Sequence, residues 1–124
     1  MAKRSPKSVK KACDTLFSKL IRSVGRCCMC GARDNLACHH SIINRVPLVT
    51  RWDESNGLCL CMSCHSFAHL YPHHQSVIGA IIKEVGQEEY DRVRGLVAVY
   101  KKMTLADYLE LEAELKEKLD EALN

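Results

Sequence analysis

Long apolar runs are missing from this sequence of 124 residues. No stretch approaches the roughly 18 consecutive apolar residues that a membrane-spanning helix requires. The basic N-terminus also lacks the apolar segment that a secretory signal contains, so we expect a cytoplasmic protein. Aromatic residues are few, at 6%, but 47% of the residues are hydrophobic and 27% are charged, as in an ordinary folded domain. A single domain over residues 1–124 is expected.

Cysteine, in contrast, is abundant. Eight cysteines in a short chain indicate either a disulfide framework or thiolate ligands for a metal. Without an export signal the thiols should stay reduced, and Cys27 with Cys30 and Cys61 with Cys64 form two pairs at the spacing of a tetrahedral zinc site. Cys28 is a competing ligand, although the spacing favours Cys27. Three cysteines fall outside this pattern and are expected to be small buried residues: Cys13, Cys38 and Cys59.

The net charge of +3 is unevenly distributed along the chain. Residues 1–26 carry eight Lys or Arg and one acidic residue, Asp14, whereas residues 104–124 carry seven Asp or Glu and two Lys. A basic end indicates attraction to a polyanion such as nucleic acid, and a solvated basic face explains the same charge equally well. The acidic segment is expected to pack near the basic one, and its leucines make it a candidate seam for a homodimer.

Helical spacing of apolar residues predicts a basic amphipathic helix within residues 1–26. Ser5 before Pro6 is typical of a helix start, and the apolar pattern ends near Gly25. From there to about residue 71 the spacing breaks into short pieces separated by turn residues, among them Asn56-Gly57. A metal-stapled ββα segment explains this stretch better than a large hydrophobic core does.

Residues 73–124 are expected to be helical. One apolar stripe stops at Gly86, and a second helix is predicted through Tyr90 and Tyr100. Thr104 and Asp107 have the spacing of a capping box, which predicts the start of a last, leucine-rich helix.

Four histidines accompany the cysteine pairs. His39 and His40 lie on a short strand-like stretch, while His65 and His69 are four residues apart and would share one face of a helix. Adjacent side chains on a strand point in opposite directions, so only one of His39 and His40 can face a given ion. We therefore expect two metal sites: a closed site of four thiolates, and an open site of His39, His65 and His69 with positions free for water and a phosphate oxygen. An open site of this kind is typical of a catalytic ion.

The order and spacing of these residues resemble the HNH, or ββα-metal, nuclease family, in the subgroup whose hairpin and helix are pinned by zinc between two CxxC knuckles. The resemblance implies an α+β fold with a small ββα-metal core in residues 27–72, between an N-terminal helix in residues 1–26 and a helical part in residues 73–124. The size and the helix after Gly86 are also similar to those of phage recombination endonucleases of the NinG type. The matching segment covers residues 27–69, and its parts are Cys27-x-x-Cys30, His39-His40, Asn56-x4-Cys61-x-x-Cys64-His65 and His69.

The resemblance also implies a role for each histidine. Carried over from the family, His40 is the general base and Asn56 holds the base and the hairpin in register. The metal ligands are His39 on the strand and His65 with His69 on the helix, while the four cysteines hold a structural Zn²⁺. Many family members have Asp where His39 stands, so the catalytic ion is left open among Mg²⁺, Mn²⁺, Ni²⁺ and Zn²⁺.

The activity implied is metal-dependent hydrolysis of DNA phosphodiester bonds, as in a recombination or nicking nuclease. A neutral histidine, with an unperturbed pKa of about 6.5, can take a proton from water near neutral pH, and such cleavage leaves 3′-hydroxyl and 5′-phosphate ends. Arg45 and Arg51 are candidate phosphate ligands, with a solvated loop position as an equal alternative for each.

Two other functions fit parts of the sequence. One is a zinc-stabilised nucleic-acid-binding module without catalysis, for which His40 would be surplus. The other is a protein–protein adaptor built on the last helix, which accounts for the ends of the chain but not for its centre.

Overall fold

The chain is mainly helical around one small antiparallel sheet. The structure is a computed structural model that describes residues 3–70 and 74–124. The expected combination of helices with a small sheet and a four-cysteine group is confirmed, while the boundary expected between residues 72 and 73 lies outside the described residues. The elements are α1 (Pro6–Arg22), β1 (Leu36–His40), α2 (Leu48–Arg51), a 3-10 turn (Glu54–Asn56), β2 (Gly57–Cys61), α3 (Met62–Ala68), α4 (His74–Val85), α5 (Gln87–Arg94) and α6 (Leu105–Leu123).

Helix α1 begins where the sequence predicts. The Ser5 hydroxyl accepts a hydrogen bond from the Ser8 amide at 3.1 Å, and Pro6 occupies the first turn, where no amide hydrogen is needed. The helix ends at Arg22, three residues before the predicted limit. Residues three or four apart form one buried stripe that faces the rest of the protein: Val9, Cys13, Phe17 and Leu20.

Strands β1 and β2 form an antiparallel pair joined by residues 41–56. His40 lies opposite Gly57, and His39 lies opposite Leu58. Because side chains alternate along a strand, His39 and Leu58 face one side of the sheet while His40 and Gly57 face the other. The two adjacent histidines are therefore directed to different neighbours, as their position on a strand predicts.

Helix α1 lies close against the sheet at Gly57. A Cβ atom at this position would lie 2.6 Å from Cδ1 of Ile21 and 3.1 Å from Cζ of Phe17. Of the predicted turn residues Asn56-Gly57, Asn56 does lie in a turn, since it ends the 3-10 turn, while Gly57 begins β2. Glycine allows this close approach, because a larger residue would require the Ile21 side chain to move.

Two hydrophobic clusters lie around the sheet. On the side of α1, this helix packs against α6, and Trp52 meets Tyr108 edge to face with ring centroids 5.9 Å apart. Arg4 also donates two hydrogen bonds of 2.7 Å to the Glu112 carboxylate. The acidic helix therefore does pack on the basic one. The second cluster joins the sheet to α3, α4 and α5, and its buried members include Ile42, Ile43, Leu58, Leu60, Val77, Ile81 and Val93.

The C-terminal helices follow the sequence prediction with one exception. Thr104 and Asp107 form the predicted capping box at the start of α6. However, α5 ends at Arg94 instead of continuing through Tyr100, because Gly95 caps the helix and the chain turns away. Tyr100 is 86% exposed and does not lie on a buried helix face. Within the described residues, none of the helices has the length and apolarity needed to cross a bilayer.

Candidate metal centres and the cleft between them

The four cysteines of the two CxxC pairs converge on one point. Their sulfur atoms all lie within 4.8 Å of one another, and the Sγ atoms of Cys30 and Cys61 are 3.7 Å apart. Zinc–sulfur bonds of about 2.3 Å in a tetrahedron place two sulfurs about 3.8 Å apart. The group therefore has the composition and spacing that a structural Zn²⁺ requires.

Backbone amides point to two of the four sulfur atoms. The amide of Cys30 points to the Cys27 sulfur at 3.5 Å, and the amide of Cys64 points to the Cys61 sulfur at 3.4 Å. Burial alone would raise the pKa of Cys27, but the backbone hydrogen bonds outweigh it and lower the pKa to about 6. A thiolate, the form that binds zinc, is therefore favoured near neutral pH.

The remaining cysteines lie outside the four-sulfur group. Burial, followed by the nearby Glu84 carboxylate, raises the pKa of Cys28 to about 11, which keeps this thiol protonated. The sulfur of Cys27, and not that of Cys28, lies in the four-sulfur group, as the spacing favoured. Cys13 and Cys59 are buried, as expected of small core residues, and Cys38 is only partly buried.

Three histidines form a second convergent group. One ring nitrogen each of His39, His65 and His69 lies within 4.8 Å of the others, and the Nε2 atoms of His65 and His69 are 3.2 Å apart. With metal–nitrogen bonds of about 2.0–2.1 Å, two adjacent ligands lie between about 2.9 and 3.4 Å apart, depending on the coordination geometry. The histidine group therefore also has the spacing to hold a metal ion, with three protein ligands.

Helix α3 connects the two groups. Its N-cap is Cys61 of the thiol group, and its C-cap is His69 of the histidine group. Because a helix fixes the positions of its side chains, the thiol group determines where His65 and His69 lie.

His39 reaches His65 and His69 from β1 and is 8% exposed. Burial, together with the neighbouring His65 and His69, lowers the pKa of His39 to about 4, so its ring is neutral and able to bind a metal.

His40 lies in the same cleft with a different partner. Its Nε2 atom is 2.9 Å from the backbone carbonyl oxygen of Arg51, and its ring stacks on Phe17 with centroids 5.6 Å apart. A carbonyl oxygen can only accept, so Nε2 carries the hydrogen and Nδ1 is the nitrogen left to accept a proton. Burial lowers the pKa of His40, which also favours the neutral ring.

Asn56 holds together the segment that positions the backbone carbonyl of Arg51. Its side chain is fully buried, and its Oδ1 accepts from the amides of Ile42 at 2.9 Å and Ile43 at 2.8 Å. Its Nδ2 donates to the carbonyls of Ile43 at 2.8 Å and Thr50 at 3.2 Å. One amide side chain therefore ties the exit of β1 to α2.

The structure gives Arg51 a role that the sequence did not indicate. Its guanidinium donates to both carboxylate oxygens of Asp14, at 2.9 and 2.7 Å, and to the carbonyl of Arg45 at 3.1 Å. Trp52 donates to the same carboxylate at 3.0 Å. Burial would raise the pKa of Asp14, but these hydrogen bonds outweigh it and keep the pKa below its ordinary value. The Arg51 side chain is thus buried, and its guanidinium is hydrogen-bonded to Asp14 and to the Arg45 carbonyl. It is not positioned to bind a phosphate.

A cleft of about 410 Å³ contains the histidine group, His40 and Arg45. The Arg45 side chain is 63% exposed and lies 3.6 Å from Asp14, so its charge is near the cleft and accessible. Asp14 and Phe17 of α1 form part of the wall. The sequence did not predict that Asp14 and Phe17 belong to the cleft. Asp14 could have been singled out because it is the one acidic residue among eight basic residues in positions 1–26.

The chain matches no protein-family model, no curated protein and no solved structure in the comparisons made. The HNH resemblance therefore stays a prediction that rests on motif and geometry. Within residues 3–70 and 74–124, the structure brings together two groups, of four cysteines and of three histidines, each able to hold a metal ion.

Proposed function

We propose that this protein is a metal-dependent nuclease that hydrolyses phosphodiester bonds of DNA, in the manner of the HNH family. The observation that carries the proposal is the division of labour between adjacent histidines. His39 joins the three-histidine group, while His40 lines the same cleft and is held by a backbone carbonyl. A module that only binds metal and nucleic acid gains nothing from a neutral, oriented imidazole beside its metal site.

His40 supplies the general base in this proposal. Its Nδ1 atom accepts a proton from the attacking water, and the Arg51 carbonyl holds the ring through Nε2 in the tautomer that this step requires. Stacking on Phe17 restricts the rotation of the ring. A divalent cation bound by His39, His65 and His69 would neutralise charge on the phosphoryl oxygens and on the leaving 3′ oxygen.

The surrounding residues position the substrate and the scaffold. Arg45 is exposed beside the cleft and is suited to bind a phosphate next to the scissile one. The Arg51 guanidinium instead neutralises Asp14, so this carboxylate does not repel the substrate. The four cysteines, with Zn²⁺ bound, would fix the start of α3 and through it the histidine ligands.

The second candidate is a zinc-stabilised nucleic-acid-binding module without catalysis. The basic helix favours it, because Lys7, Lys10 and Lys11 lie on the face of α1 that also carries Asp14 at the cleft. This surface can contact phosphates in either function. The two candidates therefore differ only in whether a bond is cut.

Incubation of supercoiled plasmid with the purified protein in Mg²⁺, Mn²⁺ or Ni²⁺ separates them. We expect nicked or linear products from the wild type, and about 10²- to 10⁴-fold slower cleavage by His40→Gln. Glutamine is the matched control, because its amide can still donate to the Arg51 carbonyl but cannot accept a proton from water. Zinc content and thermal unfolding establish that the variant is folded.

His65→Ala tests the metal site separately, with loss of both cleavage and binding of the second ion expected. Equal cleavage by the wild type and His40→Gln would contradict the proposal. Absence of cleavage with every metal and DNA form, together with salt-dependent DNA binding, would establish the binding module instead.

A further inference from the structure

A second groove lies beside the cleft, on the other side of a short loop. Asn44 and Arg45 line the cleft, and the next two residues, Val46 and Pro47, line this groove. The groove has a volume of about 370 Å³, and its opposite wall is the segment before α6, including Tyr100, Lys101 and Lys102. Because two residues span at most about 7 Å, the groove begins within that distance of Arg45.

The groove exposes apolar side chains that a folded protein usually covers. Tyr100 is 86% exposed and Val46 is 75% exposed. The apolar spacing of the sequence predicts a buried position for Tyr100, but α5 ends at Arg94 and the tyrosine remains on the surface. An exposed aromatic ring beside an apolar wall is typical of a binding surface rather than of a core.

The charge around the groove indicates the kind of ligand. Lys101 and Lys102 are exposed on one wall, and the exposed Arg45 lies toward the cleft. Lys101 and Lys102 also line a neighbouring groove, together with Asp107 and Glu110 of α6. Arg45 and the two lysines attract an anionic chain, and the α6 carboxylates keep it from extending toward α6.

We propose that this groove binds an unpaired nucleobase of the nucleic acid strand whose phosphate occupies the cleft, with the base stacked on Tyr100. Lys101 and Lys102 contact the phosphates on either side of that base. Aromatic side chains combined with lysines along a groove are the usual means by which proteins hold single strands. Because the groove begins next to Arg45, the base belongs to a nucleotide close to the phosphate held there.

This inference rests on the proposed function and adds a substrate class to it. In a paired duplex each base is covered by its neighbours and cannot stack on Tyr100. The preferred substrate therefore has at least one unpaired base next to the cleavage site. An apolar peptide segment is the other kind of ligand that an exposed tyrosine can bind. Binding of an oligonucleotide with abasic sites distinguishes the two.

The test measures binding of a fluorescent single-stranded oligonucleotide to the full-length, zinc-loaded protein without added Mg²⁺ or Mn²⁺. We expect Tyr100→Ala to weaken binding by about tenfold and Tyr100→Phe to change it little, since stacking needs the ring and not the hydroxyl. Lys83→Ala, at an exposed lysine of α4, is the control for charge. An oligonucleotide with abasic sites should bind the wild type about as weakly as the intact one binds Tyr100→Ala.

Neutralising Lys101 and Lys102 together gives a second readout that does not depend on the tyrosine. The slope of the logarithm of the strand-binding constant against the logarithm of salt concentration should become shallower by about 1.4. Each phosphate contact on a single strand contributes about 0.7 to this slope. Equal binding of intact and abasic strands, or equal binding by the wild type and Tyr100→Ala, would overturn the inference. Equal binding of intact and abasic strands would indicate that the groove binds an apolar peptide segment instead.

Plasmid cleavage separates this inference from the proposed function. Tyr100-dependent binding without any cleavage would contradict the proposed nuclease activity and support the base-binding groove. Cleavage with no effect of Tyr100→Ala on strand binding would support the nuclease activity and contradict the base-binding groove.

Discussion

Asp14 and Arg51 form a two-point ion pair that links α1 to the hairpin connection carrying the partner of His40. Both carboxylate oxygens accept from the guanidinium, at 2.9 and 2.7 Å, and Trp52 donates to the same carboxylate at 3.0 Å. The backbone carbonyl of Arg51 in turn holds Nε2 of His40 at 2.9 Å. The N-terminal helix therefore takes part in orienting the proposed base, although it lies outside the segment with the metal motif.

Replacement of Asp14 by asparagine should destabilise the protein and slow cleavage. The variant keeps the size of the side chain but leaves the buried guanidinium of Arg51 without a counter-charge, which costs about 2–3 kcal/mol. Cleavage should fall because the carbonyl that orients His40 is less well fixed. Denaturant unfolding and single-turnover cleavage measure the two effects.

Asp34→Asn is the matched control, because Asp34 is an exposed carboxylate far along the chain from the ion pair. It should change the free energy of unfolding by less than about 0.5 kcal/mol. Unchanged stability and unchanged cleavage in Asp14→Asn would show that the ion pair has no positioning role.

Gly57→Ala should also destabilise the fold, through a clash between α1 and β2. The added Cβ would lie 2.6 Å from two side-chain carbon atoms of Ile21, so this side chain or α1 must shift, at a cost of about 1–3 kcal/mol. A shift of α1 would also displace Phe17 from the His40 ring. Thermal unfolding and the rate of cleavage are the measurements.

The chain offers a matched glycine for comparison. Gly79 is exposed in α4, and a Cβ there would meet no other atom within 4 Å outside the local helix backbone. Gly79→Ala should stabilise the protein by about 0.5–1 kcal/mol, since alanine favours a helix over glycine. A stability change of the same sign in both variants would argue against a specific contact at Gly57.

Cys30→Ser should abolish tight zinc binding, whereas Cys28→Ser should retain it. Cys30 belongs to the four-sulfur group, while Cys28 lies outside it. Because binding of a structural zinc contributes directly to folding, Cys30→Ser should also lose the cooperative unfolding transition. Zinc content per chain and calorimetry, before and after treatment with a chelator, test this; comparable zinc loss in the two variants would mean that the ligand set is different.

The acid limb of the pH–rate profile should lie below the ordinary pKa of histidine, 6.5. Burial lowers the pKa of His40, and the hydrogen bond to the Arg51 carbonyl opposes this only in part. A general base acts in its unprotonated form, so a lower pKa extends full activity to lower pH. We expect kcat/KM to be flat between about pH 7 and about pH 8, and to fall only below the pKa of free imidazole.

Saturating metal at each pH is the necessary control, because protonation of the ligand histidines also weakens metal binding. An acid limb at or above pH 6.5 under those conditions, or the same limb in His40→Gln, would assign the titration to another group.

Much of the site follows from local chain geometry. A two-residue gap between Cys27 and Cys30 allows two sulfurs to meet one ion, and a four-residue gap between His65 and His69 puts two rings on one helix face. The alternation of a strand separates His39 from His40. Each of these relations depends on a few neighbouring backbone angles, so local geometry predicts which residues can share an ion. The meeting of the two cysteine pairs, and of His39 with the helix histidines, was expected from the motif as a whole, and the structure brings them together.

Only the tertiary structure decided which residues surround these groups. The pairing of Asp14 with Arg51, the tautomer of His40 and the exposure of Tyr100 depend on how α1, α6 and the hairpin pack together. Contacts between residues far apart in the chain are selected by burial and shape over the whole fold, and no local periodicity encodes them. For this reason the sequence predicted the metal ligands, while the partners that orient the base and the groove beside the cleft emerged only from the packed chain.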